Sequence, residues 1–90
     1  MKNTDIKPSV RKKVLERDSI DGCPCCRYCG RPLLTGAHLH HVERRSHGGE
    51  GTEENLVTLC YKCHAKLHNG HSEIQDYCKE LLKFLYGGEE

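Results

Sequence analysis

The chain has 90 residues, 36% of them apolar, with seven Cys, seven His, no Trp and a formal net charge of +1; its mean hydropathy is −0.73. One domain of this length buries only about 60–65% of its unfolded surface, so a disulfide or metal framework is expected to supplement the core. No stretch approaches the roughly 18–20 apolar residues of a membrane span, so no membrane association is expected, and the near-zero charge decides nothing about nucleic acid.

The first twenty residues contain no apolar run of the signal-peptide kind. The protein is therefore read as cytoplasmic (in a host cytosol if a phage encodes it), with reduced cysteines that favour metal over disulfides. Residues 1–50 carry ten Lys/Arg against six Asp/Glu, and residues 51–90 carry four against seven, so the front half is the basic one. Residues 1–7 read as a flexible arm. Pro8 suits a first helical position, and Val10, Val14 and Leu15 give an apolar stripe, so a helix is expected over 8–17. "DSIDGCPCCRYCG" reads as a loop or knuckle. Residues 37–43 are β-compatible through Leu39 and Val42, whereas 46–55, with three glycines in four positions, are loop.

After Asn55, "LVTLC" is extended or a helix entry, and "YKCHAKLH" is helical, stopped by Asn69-Gly70. Ser72 and Gln75 form a capping-box pattern. Ile74, Tyr77, Cys78, Leu81, Leu82 and Leu85 then mark an amphipathic helix over 72–86. Its apolar face docks either on the core or on a partner, including a second copy of the chain. No repeat or linker interrupts the sequence, which reads as a single domain over 1–90.

Two Cys-x-x-Cys pairs carry the first chemical signal, Cys26/Cys29 in "CRYCG" and Cys60/Cys63 in "CYKC". Tetrahedral zinc takes four thiolates, and a two-residue spacer lets both sulfurs of a pair reach one ion. Cys23/Cys26 is a rival register for the first pair; Gly30, suited to a knuckle turn, favours Cys26/Cys29. Cys25 reads as a bystander and Cys78 as a small buried hydrophobe. The gap between Cys29 and Cys60 exceeds the 15–20 residues of a simple ribbon, and the excess holds most of the histidines.

His40 and His41 are adjacent, so on a strand they face opposite ways. His64 and His68, four apart on a helix, share a face and suit one metal. Cys63 and His64 diverge by about 100° on that helix, so it can serve two ions.

"CRYCG" followed by "LHHVERRSHGGEGTEENLVTLCYKCHAKLH" resembles the HNH endonucleases that carry a four-cysteine zinc, and "VLERD" resembles their common lead-in. The resemblance covers about Val10 to His68. It implies a small α+β fold: a ββα-metal core with a zinc knuckle over 23–68, flanked by the N-terminal and C-terminal helices. It implies that His40 is a metal ligand, His41 the general base, Asn55 a loop brace and His64 a second ligand. His68 resembles the third histidine ligand of the colicin-type members, with His38, two before His40 on the same face, as the alternative.

The implied activity is hydrolysis of DNA phosphodiester bonds to 5′-phosphate and 3′-hydroxyl ends. The implied cofactors are a structural zinc and one catalytic divalent ion, Mg, Mn, Ni, Co or Zn. Imidazole changes charge near neutral pH and suits a base, and imidazole ligands favour Zn, Ni, Co or Mn over Mg. Arg44, Arg45, Lys62 and Lys66 are candidate phosphate contacts. The chain departs from the family at Arg44, where Pro is frequent, at His47, where Lys is common, and in a longer loop between Asp18 and Cys26. His47 thereby becomes a spare ligand candidate, and His71 reads as a surface residue.

Three other readings compete. A non-catalytic zinc-stabilised nucleic-acid-binding module needs only the four cysteines and the basic half, and leaves the histidines and Asn55 unexplained. "CYKCH" also fits a c-type haem attachment site, but that chemistry needs export. A thiol redox site at Cys60/Cys63 lacks the βαβ surroundings it requires.

Overall fold

In the computed structural model, residues 5–44 and 48–87 are described. Helix α1 spans Pro8–Arg17, opened by the proline and anchored by buried Val14. The next residues form a tight antiparallel hairpin rather than the expected loop: β1 (Ser19–Ile20) pairs with β2 (Cys23–Pro24). Asp21 and Gly22 turn it with φ of 53° and 81°. Both central residues of such a two-residue turn need positive φ, which Asp-Gly provides.

The central unit is β3 (His38–His41) antiparallel to β4 (Leu56–Leu59), with His38 opposite Leu59 and His41 opposite Leu56. Helix α2 (Tyr61–His68) follows with Cys60 as its N-cap. These three elements are the expected ββα core. All four residues of β4 are buried, because the strand is covered on both sides. Val57 and Leu59 pack into the main core with Cys26, Leu33, Ile74, Cys78 and Leu82, while α1 packs against the same strand. A doubly covered strand reads as a continuous apolar run rather than an alternation, which left "LVTLC" ambiguous as sequence.

Helix α3 (Ser72–Leu82) continues through a π-helical turn over Lys83–Gly87. Its apolar face docks on the core through Ile74, Cys78 and Leu82. The capping box does not form: the N-cap is His71, which makes no side-chain cap bond, and Gln75 is engaged elsewhere. Asp18, 1% exposed, ties the front of the chain to the centre. Its carboxylate accepts from Arg17 Nε at 2.8 Å and Nη2 at 2.9 Å and from the Thr58 amide at 3.1 Å. Arg17 also donates to the Glu53 and Leu56 carbonyls at 2.9 and 2.7 Å. The "ERD" lead-in thus clamps α1 onto β4, the partner strand of β3. No helix of the described residues is long and apolar enough to cross a membrane.

Candidate active site

Two clusters flank α2. In the first, the sulfurs of Cys26, Cys29, Cys60 and Cys63 all lie within 4.8 Å of one another. Each pair folds as a knuckle: the Cys29 amide donates to Cys26 Sγ at 3.5 Å and the Cys63 amide to Cys60 Sγ at 3.4 Å. Gly30 closes the first turn at φ 81° with its amide on the Cys26 carbonyl at 2.9 Å, a conformation open to glycine at no steric cost. The register is therefore Cys26/Cys29. Cys23 and Cys25 stand outside the cluster, their thiols donating to the Pro24 and Cys23 carbonyls at 3.6 and 3.3 Å.

Burial pushes the Cys60 thiol up, but the Cys63 amide and the neighbouring thiols outweigh it and hold Cys60 down to about 7. Burial, reinforced by the other three thiols, pushes Cys63 up. Cys60 thus gives up its proton more readily than Cys63. Four such sulfurs can hold a metal ion, and the donor set is the one tetrahedral zinc takes.

The second cluster joins His40 from β3 to His64 and His68 from α2, one ring nitrogen of each lying within 4.8 Å of the others. His40 is 6% exposed. Burial lowers its pKa, against an opposing hydrogen bond to Gln75. Burial, with the nearby His68, His40 and His38, lowers His64 to about 4. Neutral rings with converging nitrogens are what a divalent ion binds, since the ligand must be deprotonated. As the helical period requires, Cys63 goes to one cluster and its neighbour His64 to the other. The histidine cluster opens into a cavity of about 890 Å³ whose walls include His41, Arg44 and Gln75. His41, paired to Leu56 across the strands, lines that cavity without belonging to the cluster.

Asn55 ends a 3₁₀ turn over Glu53–Asn55 and closes the loop between the strands. Its Oδ1 accepts from the Glu43 amide at 2.7 Å, and its Nδ2 donates to the Glu43 and Glu50 carbonyls at 3.2 and 2.9 Å. The loop crosses itself closely at Gly49, where an added Cβ would collide with the Glu43 carbonyl. That crossing, not flexibility, is the reason for a glycine there.

The sequence pattern of the HNH endonucleases matches residues 26–70, half of the chain. The chain belongs to the HNH endonuclease family. It is 40% identical over 57 residues to the type IV methyl-directed restriction enzyme EcoKMcrA of Escherichia coli, covering 63% of this chain and 18% of that protein. It is 42% identical over 49 residues to anaredoxin of Nostoc sp., covering 54% and 63%. It is 37% identical over 59 residues to the probable mobile endonuclease C of Enterobacteria phage T4, covering 66% and 23%. The chain therefore spans less than two thirds of each of these relatives.

Of the basic residues singled out in the HNH segment, Arg44 lines the cavity, while Lys62 and Lys66 are exposed on α2. Arg45 and His47 lie outside the described residues. His38, the alternative third ligand, and Gln75 take parts that the sequence did not give them. His38 is not in the metal-ligand cluster; its Nδ1 stands 3.0 Å from His64 Nδ1, so it contacts a cluster histidine from behind. Gln75 stands 2.8 Å from His40 Nε2 and 2.8 Å from the Val42 carbonyl. Its position on the capping pattern masked this role, and only its place on the face of α3 toward β3 could have hinted at it.

Proposed function

We propose that the protein is a metal-dependent HNH endonuclease that hydrolyses DNA phosphodiester bonds, leaving 5′-phosphate and 3′-hydroxyl ends, and that the chain acts as a single nuclease domain. One observation carries the reading: His41 opens onto the same cavity as His40, His64 and His68 yet stands apart from their cluster. The three imidazoles fit a transition metal better than magnesium. Bound there, a divalent ion supplies Lewis acidity at the scissile phosphate and charge for the leaving oxygen.

The remaining work falls to the chain's own side chains. His41 takes the proton from the attacking water, which requires a ring nitrogen kept clear of metal. Strand alternation gives His40 the ligand position and leaves His41 for proton transfer. Asn55 holds the strand end that carries His41 at a fixed distance from α2. Arg44 at the cavity, with Lys62, Lys66 and Arg45, contacts phosphates without reading sequence. Zinc on Cys26, Cys29, Cys60 and Cys63 fixes α2 and hence the placement of His64 and His68. Thiols that serve as metal ligands have to stay reduced, which suits a compartment such as cytosol.

The test is cleavage of supercoiled plasmid by wild type and His41→Ala, each freed of loosely bound metal and supplied with Mg, Mn, Ni or Zn in parallel. Nicked or linear product from wild type alone, dependent on the added ion, is expected. DNA binding without cleavage by either protein would favour a zinc-stabilised binding module. Equal cleavage by both would remove His41 from the role of base.

A further inference from the structure

We propose that Gln75, on α3 and beyond the segment that carries the HNH pattern, is a positioning residue that fixes which nitrogen of His40 faces the metal position. The inference rests on the reading of His40, His64 and His68 as a metal site.

The argument is one of donors and acceptors. The Val42 backbone carbonyl can only accept, so the group 2.8 Å from it must be the Gln75 NH₂. The amide therefore cannot be turned over, and its carbonyl Oε1 is the atom 2.8 Å from His40 Nε2. That oxygen also only accepts, so His40 Nε2 must carry the proton and donate it. A neutral imidazole has one N–H, which leaves Nδ1 of His40 as its bare lone pair. With the ring 6% exposed, water is poorly placed to favour the other tautomer. A backbone carbonyl just past β3 thus selects, through one amide, the ligand atom two residues earlier.

His64 has a parallel arrangement. Its Nδ1 lies 3.0 Å from His38 Nδ1 and its Nε2 lies 3.1 Å from His68 Nε2. His64 therefore has one nitrogen engaged by His38, outside the cluster, and the other by His68, within it. Partners of this kind fix ring orientation and raise ligand basicity, and losing one costs about 10- to 100-fold in metal affinity.

Gln75 also ties α3 to the end of β3, and a mere tether must be told apart from a positioning residue. Gln75→Glu keeps an acceptor for His40 Nε2–H but loses the donor to Val42. Gln75→Met loses both at similar size. Each protein, carrying one equivalent of zinc on the cysteines, is titrated calorimetrically with Ni²⁺ after its melting temperature has established that it is folded. The tautomer of His40 is read from imidazole ¹⁵N shifts before nickel is added.

We expect the Nε2–H tautomer in wild type and Gln75→Glu, and a mixture in Gln75→Met. Nickel affinity should fall about 10- to 100-fold in Gln75→Met and stay within about threefold in Gln75→Glu. Equal loss in both variants would make Gln75 a tether and overturn the inference. So would equal nickel binding by wild type and Gln75→Met, or an Nδ1–H tautomer in wild-type His40, which needs no variant to observe. Wild type that takes up no nickel would overturn the metal-site reading itself, and this inference with it.

Discussion

At the residue scale, the histidine cluster spends conformational stability on metal readiness. His64 is held at about 4 by burial and by the neighbouring His68, His40 and His38, against about 6.5 for an unfolded histidine. The sign follows from proton binding: between those values the unfolded chain binds the proton and the folded one does not. The stability is therefore present in full above about 6.5 and is lost as pH falls toward about 4. With zinc on the cysteines and the histidine cluster metal-free, the wild-type melting temperature should fall more steeply between about pH 7 and about 5.5 than that of His64→Asn. Parallel slopes would assign the pH dependence to other groups. The sequence named His40, His64 and His68 through the family resemblance, with His38 as the alternative to His68; adjacency on a strand and i, i+4 spacing on a helix set where those side chains point. It did not assign His38, since whether a second same-face histidine ligates or stands behind a ligand depends on the distance to α2.

At the element scale, the hairpin loop between β3 and β4 is held by one side chain. Asn55 makes three hydrogen bonds to the backbone of residues 43 and 50, while the Val42 amide donates to the Asn55 carbonyl at 2.9 Å. Losing the amide would let the end of β3 shift relative to α2, and displacements near 1 Å cost about 100-fold in rate. Asn55→Ala is expected to lower plasmid cleavage by about 10- to 100-fold while DNA affinity changes by less than about threefold. Equal loss of both would mean that Asn55 supports the fold or touches substrate. The helices were legible because proline, periodicity and the Asn69-Gly70 stop are local signals. The β1–β2 hairpin carried its own Asp21-Gly22 signal, which the density of cysteines around it obscured. The capping box was misread for a different reason. Gln75 is the right residue at the right spacing, but His40 on β3 and the Val42 carbonyl just past it engage its amide instead.

At the scale of the whole molecule, zinc ligation would join the halves of the chain that the small core leaves weakly tied. Cys26 and Cys29 lie in the front half and Cys60 and Cys63 at the start of α2, and Cys26, Cys60 and Cys63 also belong to the main core. Structural zinc contributes folding free energy directly. Cys29→Ser should lose zinc and either unfold or melt lower by about 10 °C or more, the shift expected for a loss of about 2 kcal/mol in a domain this size. Unchanged melting and zinc content would count against the four-cysteine site. The second tie, Arg17 and Asp18 on β4 and its neighbours, is independent of metal and explains why the lead-in to the first knuckle holds a buried carboxylate.

The sequence alone determined the family, the fold class and the four thiols, and it set the candidate histidines on one strand and one helix, because each rests on spacing within one element or on a motif read in order. Tertiary structure alone decided which contacts those residues make. The face of α3 turned toward β3 brings Gln75 to His40, and the approach of β3 to α2 sets His38 against His64 rather than within the cluster. Such contacts join residues 26 to 35 positions apart, across elements whose relative placement comes from packing rather than from any local pattern.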